Sequence, residues 1–162
     1  MLYDAHNHLQ DHRLDAERAA ILQQLPQTGL AEAIVNGSAE DDWDDVALLA
    51  RAHSWLRPSF GLHPWYVKER SPQWQERLRH WLTLFPEAPV GEIGLDRWII
   101  DGLKPDDPRL AGLRVAPLAE QCEVFAAQLA LGAELNRAIV ERFRAAGVVY
   151  PAPMPEMRIV KG

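Results

Sequence analysis

The sequence predicts an α/β protein built on parallel strands, and three observations carry that prediction. Short apolar runs alternate four times with segments of helical periodicity, the pattern of parallel strands joined by helical crossovers. The residues richest in chemistry, His6, His8, His63 and Glu92, lie on those runs or where they end. In parallel α/β folds, active sites gather at the C-terminal ends of strands. Finally, 162 residues with 48% apolar and 25% charged suit one domain with a substantial core.

The elements follow in order. Residues 2–6 read as a buried strand that turns polar at His6-Asn7-His8. Residues 14–25 place Leu14, Ala19, Ile21, Leu22 and Leu25 at helical spacing, and Pro26 and Gly29 stop that helix. A second strand covers 32–36. Ser38, with Asp41 three residues on, is expected to cap a helix running to about Leu56. The acidic run Glu40, Asp41, Asp42, Asp44 and Asp45 suits the positive end of that helix dipole better than a metal site. A third strand covers 57–62, followed by His63-Pro64-Trp65. Residues 72–84 form a helix with Trp74, Leu78, Trp81 and Leu82 on one stripe, read as core packing. A fourth strand is expected at 89–94, then a loop from Asp101 to Pro108. The helix after Pro117 is expected to bury Leu118, Cys122, Phe125 and Leu129, with Cys122 a small apolar residue. Local propensity carries this helix on to Ala146, with Gly147 as its stop.

Composition excludes several function classes. Seventeen Lys and Arg against 23 Asp and Glu give a net charge of −6, so binding nucleic acid by bulk positive charge is not expected. A local site on an acidic body is still compatible with a nucleic-acid enzyme. One cysteine, Cys122, supports neither a disulfide framework nor a cysteine-built zinc site. A reducing, cytoplasmic location is the expectation. Neither a membrane span nor a signal peptide is predicted, so no membrane partner is expected.

His6 and His8 stand two apart, and in an extended chain such residues point to the same face. Two imidazoles can then converge on one divalent first-row ion. Glu92 sits in the apolar run Pro89-Val90-Gly91-Glu92-Ile93-Gly94-Leu95, where a carboxylate is expected to be buried and in need of a cation. Small neighbours leave room around it.

Four blocks in order carry a resemblance: Asp4-Ala5-His6-Asn7-His8-Leu9, Phe60-Gly61-Leu62-His63-Pro64-Trp65, Val90-Gly91-Glu92-Ile93-Gly94-Leu95-Asp96, and Gln121 to Leu131 with Phe125 and Gln128-Leu129-Ala130. Together they resemble the TatD family of metal-dependent deoxyribonucleases, over about residues 2–140. The resemblance implies a TIM-type barrel of the amidohydrolase superfamily that hydrolyses phosphodiester bonds of DNA. It implies divalent ions of magnesium, manganese or zinc type. By matching position it makes His6 and His8 ligands of the first metal and Glu92 the bridge between two. It places His63, with Glu92 catalytic, near the scissile phosphate, and Asp96 behind the ligands.

The sequence departs from that family in its second half. No histidine follows His80 and no aspartate follows Asp107, where the family carries two further histidines and an aspartate. A full barrel takes roughly 250 residues. The expectation is therefore a partial barrel of four βα units over residues 1–146, with an incomplete two-metal centre, and a proline-rich extended tail over 147–162. The unpaired barrel edge predicts self-association. Two functions stay open: a TatD-like hydrolase, or a non-catalytic truncated chain that binds metal weakly or not at all. A third, the polymerase-and-histidinol-phosphatase type, is disfavoured by the Gly-Glu-Ile-Gly-Leu-Asp block at 91–96.

Overall fold

The computed structural model describes residues 1–104 and 106–145, with side chains as far as residue 136. Three strands, β1 (Leu2–Asn7), β2 (Leu30–Asn36) and β3 (Leu56–Ser59), form one parallel sheet in the order β1-β2-β3. The connections are helical, as the alternation in the sequence requires. Between β1 and β2 the chain makes a 3₁₀ turn, His12–Leu14, then α1 (Arg18–Gln24) and a second 3₁₀ turn, Leu25–Thr28. The helix expected at 14–25 is thus one α-helix between two tighter turns. Gly29 ends it in the left-handed conformation at φ 87°, where a side chain would be strained.

After β2 comes α2 (Trp43–Ala52), and after β3 a 3₁₀ turn, Pro64–Glu69, and α3 (Trp74–Leu84). Trp43, Val46 and Ala47 of α2 pack with Trp74, Leu78, Trp81 and Leu82 of α3 against Val35 and Leu56 of the sheet and Phe60 just beyond β3. The α3 stripe is the core face that its spacing predicts. A short helix, α4 (Trp98–Asp101), falls between the strand expected at 89–94 and the loop expected from Asp101, and α5 (Leu118–Ala145) closes the described chain. The helix through 138–140 follows local propensity. Gly147 and the tail at 147–162 lie outside the described residues. No helix among those described is long and apolar enough to cross a membrane.

Three sequence expectations need correction. The strand expected at 89–94 is reduced to one parallel bridge, Phe60 to Val90. Phe60 N–H donates to Pro89 O at 3.2 Å and Gly91 N–H to Phe60 O at 3.0 Å. Pro89 has no N–H to extend the ladder, and Glu92 N–H turns instead to Gly37 O at 3.2 Å. The Gly91–Glu92 peptide is cis. Gly61 allows this close approach, since a Cβ there would stand 2.8 Å from the Gly91 carbonyl carbon. Second, Ser38 does not cap α2. The cap position belongs to Asp42, and α2 ends at Ala52 rather than near Leu56.

Third, α5 buries a different face from the one its apolar residues suggest. Leu129 is 51% exposed and Cys122 is exposed, whereas Gln121, Val124, Gln128 and Leu131 are buried. The reason is hydrogen bonding. Gln128 accepts the Leu62 N–H at 2.7 Å and donates to Leu62 O at 3.1 Å, acting as a strand partner for a residue that has none. Gln121 accepts from Asp96 N–H at 2.8 Å and donates to Ala116 O at 3.1 Å and Asp96 O at 3.2 Å. An apolar count gives these two glutamines no inward weight.

Replacing Gln128 with leucine keeps the volume and strands both Leu62 backbone groups. Gln128→Leu is expected to lower stability by about 1–3 kcal/mol, the cost of a buried unpaired group, read as a fall in the urea midpoint at unchanged slope.

Candidate metal centre

His6 and His8 leave the end of β1 on the same face, with ring centroids 5.2 Å apart. The strand end is fixed locally. The Asp4 carboxylate accepts the His6 N–H at 3.0 Å and the Asn7 side-chain amide at 3.0 Å. Glu92 enters from the segment beside β3. His6 Nε2 lies 2.9 Å from Glu92 Oε1, and His8 Nε2 lies 3.4 Å from Glu92 Oε2. One ligand atom from each of the three residues falls within 4.8 Å of the others. Glu92 is half-buried rather than fully enclosed.

The turn after β2 organises these side chains. Asn36 O faces His8 Nδ1 at 3.0 Å and accepts Gln10 Nε2 at 2.6 Å. Gly37 O accepts the Glu92 N–H. Ser38 Oγ donates to Glu92 Oε2 at 3.2 Å, and Ser38 O accepts the His63 N–H at 2.8 Å. Asp42 in turn holds Ser38, accepting its N–H at 2.9 Å. Burial pushes the Asp42 carboxyl up, against the hydrogen bonds from Ser38, Gln10 and Ala39. Glu40 is also committed, accepting from Ser71 Oγ at 2.7 Å and Arg77 at 3.2 Å. Two of the five acidic residues therefore hold loops in place, while Asp44 and Asp45 do occupy the first turn of α2.

The hydrogen bonds set the tautomers. A carbonyl can only accept, so His8 Nδ1 carries a proton and the neutral ring presents a lone pair at Nε2. That lone pair faces a carboxylate oxygen 3.4 Å away. Two acceptors at that distance call for a positive charge between them, either a proton on Nε2 or a metal ion. The donor set, two imidazoles and a carboxylate, fits a divalent first-row ion.

His63 opens the 3₁₀ turn after β3, and its Nδ1 accepts the Trp65 N–H at 3.3 Å. The ring proton of the neutral imidazole is then on Nε2. Burial pushes the His63 imidazole down, while the carboxylates of Glu92 and Asp96 oppose the shift. Asp96 does not reach the three-residue cluster. Its Oδ2 accepts the Trp65 indole N–H at 2.6 Å, and its Oδ1 accepts the backbone N–H of Trp98 at 2.8 Å and of Ile99 at 3.2 Å. Burial acts to raise the Asp96 carboxyl, but these three donors outweigh it and hold it below the usual range.

Sequence reasoning gave no site role to Asn36, Gly37, Ser38, Gln121 or Gln128. Asn36 was placed correctly at the end of the second strand, but Ser38 was read as a helix cap, and the signal that could have found all three was their position at the C-terminal end of β2.

Comparison with known proteins places the chain. The family profile described as TatD related DNase matches residues 3–144. A curated relative, the Cut9-interacting protein scn1 of Schizosaccharomyces pombe, is 28% identical over an alignment covering 85% of this chain and 53% of that protein. A solved structure, YJJV, the TatD homolog from Escherichia coli K12, superposes with a TM-score of 0.65 at 28% identity, covering 83% of this chain and 48% of that one. The chain thus spans about half the length of the relatives it matches.

Gly37 is where the turn is most constrained. A Cβ there would meet Trp43 Cδ1 at 2.7 Å and Ser59 O at 3.2 Å. Gly37→Ala is expected to cost about 1–3 kcal/mol through overpacking, measured as a lower chemical-denaturation midpoint.

Proposed function

The chain belongs to the TatD-related DNase family, and from that premise we propose that it is a divalent-metal-dependent hydrolase acting on the phosphodiester bonds of DNA, with His6, His8 and Glu92 holding the ion. The observation that carries this reading is the His8–Glu92 contact. Asn36 O fixes the proton on His8 Nδ1, and Nε2 faces Glu92 Oε2 at 3.4 Å. A bound divalent ion polarises a phosphoryl oxygen and lowers the pKa of a water beside it.

The chain's own residues do the rest. His8 and His6 present Nε2 toward one carboxylate, and Ser38 orients that carboxylate by donating to Oε2. Hydrogen bonds that orient a ligating side chain in this way commonly change metal affinity 10–100-fold. Burial pushes the His63 imidazole down, which favours its neutral form, and the neutral ring carries its proton on Nε2, where it can donate to a phosphate oxygen. Asp96 positions Trp65, which holds the His63 ring through its backbone N–H. Three protein ligands are the number found in catalytic zinc sites that keep a position open. The net charge of −6 leaves little bulk attraction for DNA, so the centre itself has to supply the electrostatic recognition.

The test is a calorimetric titration of the metal-free chain with Mn²⁺ or Zn²⁺, alongside melting curves and cleavage of single-stranded DNA. The ion is expected to raise the melting temperature, with about 2.7 kcal/mol of stabilisation at a hundredfold excess over Kd. EDTA should remove both the gain and the cleavage. His8→Ala should weaken ion binding by at least about 10-fold, and His6→Ala should abolish cleavage. A chain whose melting ignores ions and EDTA, and which cleaves nothing, is the non-catalytic alternative.

A further inference from the structure

The two flanks of the molecule are open, and in complementary ways. β1 is the first strand of the sheet, and none of its six residues is buried. Leu2 is 57% and Tyr3 68% exposed, and α1 also buries no residue. The Tyr3 hydroxyl donates to the Met1 sulfur, and Met1 is itself exposed. An exposed strand edge is ordinarily blunted by lysine, proline or a covering element. β1 holds neither lysine nor proline, and its one carboxylate, Asp4, accepts the His6 N–H and the Asn7 amide.

On the opposite flank, Phe60 N–H donates to Pro89 O and Gly91 N–H donates to Phe60 O. In a parallel pair that pattern directs the N–H and C=O of Val90, the residue between, away from β3. Neither group has a partner among the described residues. α5 lies over this segment, close enough that a Cβ on Gly132 would stand 3.1 Å from Val90 Cγ2. A groove of about 200 Å³ opens there, lined by Leu82, Pro89, Val90, Gly132 and Leu135, with Glu87 and Asn136 as its polar residues. Among the described residues 119–133 of α5, Glu123 is the one exposed charge. The other exposed residues are Ala119, Cys122, Ala126, Leu129, Ala130 and Ala133.

A second copy of the chain fits both flanks at once. A two-fold axis along the strands lays β1 of each copy beside the segment at 88–92 of the other, running the same way. The two joints are then identical, and no edge is left unpaired. The spans agree, since Leu2 to His6 and Ala88 to Glu92 are both steps of four residues. Seating Leu2 and Tyr3 at the groove beside Ala88 and Pro89 therefore brings His6 level with Glu92. Size agrees as well. The chain covers 48% of the solved relative it superposes on, so a body of that size takes two such chains. The net charge of −6 sets up little local repulsion, because the surfaces that meet carry few charges.

We propose that two copies of this chain associate about a two-fold axis, each seating Leu2 and Tyr3 of β1 in the other's groove between Val90 and α5, and so close one continuous parallel sheet. The joint sets the partner subunit's His6 beside Glu92, and each carboxylate is approached by imidazoles from both copies. This second statement rests on the metal reading above; the association does not.

Sedimentation equilibrium of the metal-free 162-residue chain over a range of concentrations tests the joint. Wild type is expected at twice the chain mass. Tyr3→Lys alters one side of each joint. Leu129→Lys alters the other, one turn before Gly132 on the same helix. Each is expected to raise the dimer dissociation constant at least about 100-fold, about tenfold for each of the two joints. Leu48→Lys, on the exposed side of α2, should leave it unchanged. Circular dichroism and melting curves establish that each variant is folded, and Ala133→Lys replaces Leu129→Lys if that variant is not. A folded wild type that stays monomeric, as it would if a different protein covers these flanks, overturns the proposal. Loss of association in only one of the two variants also overturns it, since that marks strand-to-strand or helix-to-helix contact between like edges. Growth beyond two chains does the same. For the shared site, a His6→Ala, His8→Ala chain is mixed with a Glu92→Ala chain and titrated calorimetrically with Mn²⁺. The mixture is expected to bind the ion where neither chain does alone. A dimer whose mixture gains no binding overturns the sharing of His6. A dimer of wild type that binds no Mn²⁺ counts against the metal reading and leaves the joint standing.

Discussion

Asn36, Gly37 and Ser38, at the end of β2, carry the hydrogen bonds on which the arrangement of the site depends. Asn36 O orients His8, Gly37 O receives Glu92 N–H, and Ser38 reaches both the Glu92 carboxylate and the His63 backbone. β2 is the central strand of the sheet, so this turn sits between the ends of β1 and β3 and can bind residues from both sides. Its geometry is fixed in turn by Gly37 packing on Trp43 and by Asp42 holding the Ser38 N–H. The site is therefore an extension of the sheet rather than a set of free loops. Rigid support of this kind holds side chains in place before any partner arrives.

The second support comes from α5. Gln128 completes the hydrogen bonding of Leu62, immediately before His63, and Gln121 does the same for Asp96. Both glutamines are buried, and each answers backbone groups that no strand reaches. They substitute for the ladder that the segment at 89–94 does not extend. The helix is consequently docked by polar contacts at two points, with Val124 and Leu131 filling the space between and beyond them.

Much of this was legible in the sequence, and the failures have physical causes. The alternation of apolar runs and helical stretches gave the parallel sheet. The spacing of His6 and His8 and the apolar surroundings of Glu92 led to residues that the fold brings together. The α3 stripe was read correctly because its buried face is wholly apolar. Where burial is driven by hydrogen bonds, apolar periodicity pointed the wrong way: Cys122 and Leu129 face outward, and Gln121 and Gln128 face in. Ser38 fitted a capping pattern by sequence but is drawn to Glu92, 54 residues away. The strand at 89–94 had the composition of a strand, but Pro89 lacks a donor and the Glu92 N–H turns to the β2 turn.

The turn after β2 leaves a lone pair on His8 Nε2 aimed at Glu92, and nitrogen-15 NMR of the imidazole rings reads this out. Above neutral pH, His8 is predicted to show the tautomer protonated at Nδ1, and its Nε2 resonance should shift on addition of Zn²⁺. In a Glu92→Ala variant that shift should be lost or much reduced. A His8 ring protonated at Nε2 under those conditions, and indifferent to Zn²⁺, would show that Asn36 does not set the His8 tautomer.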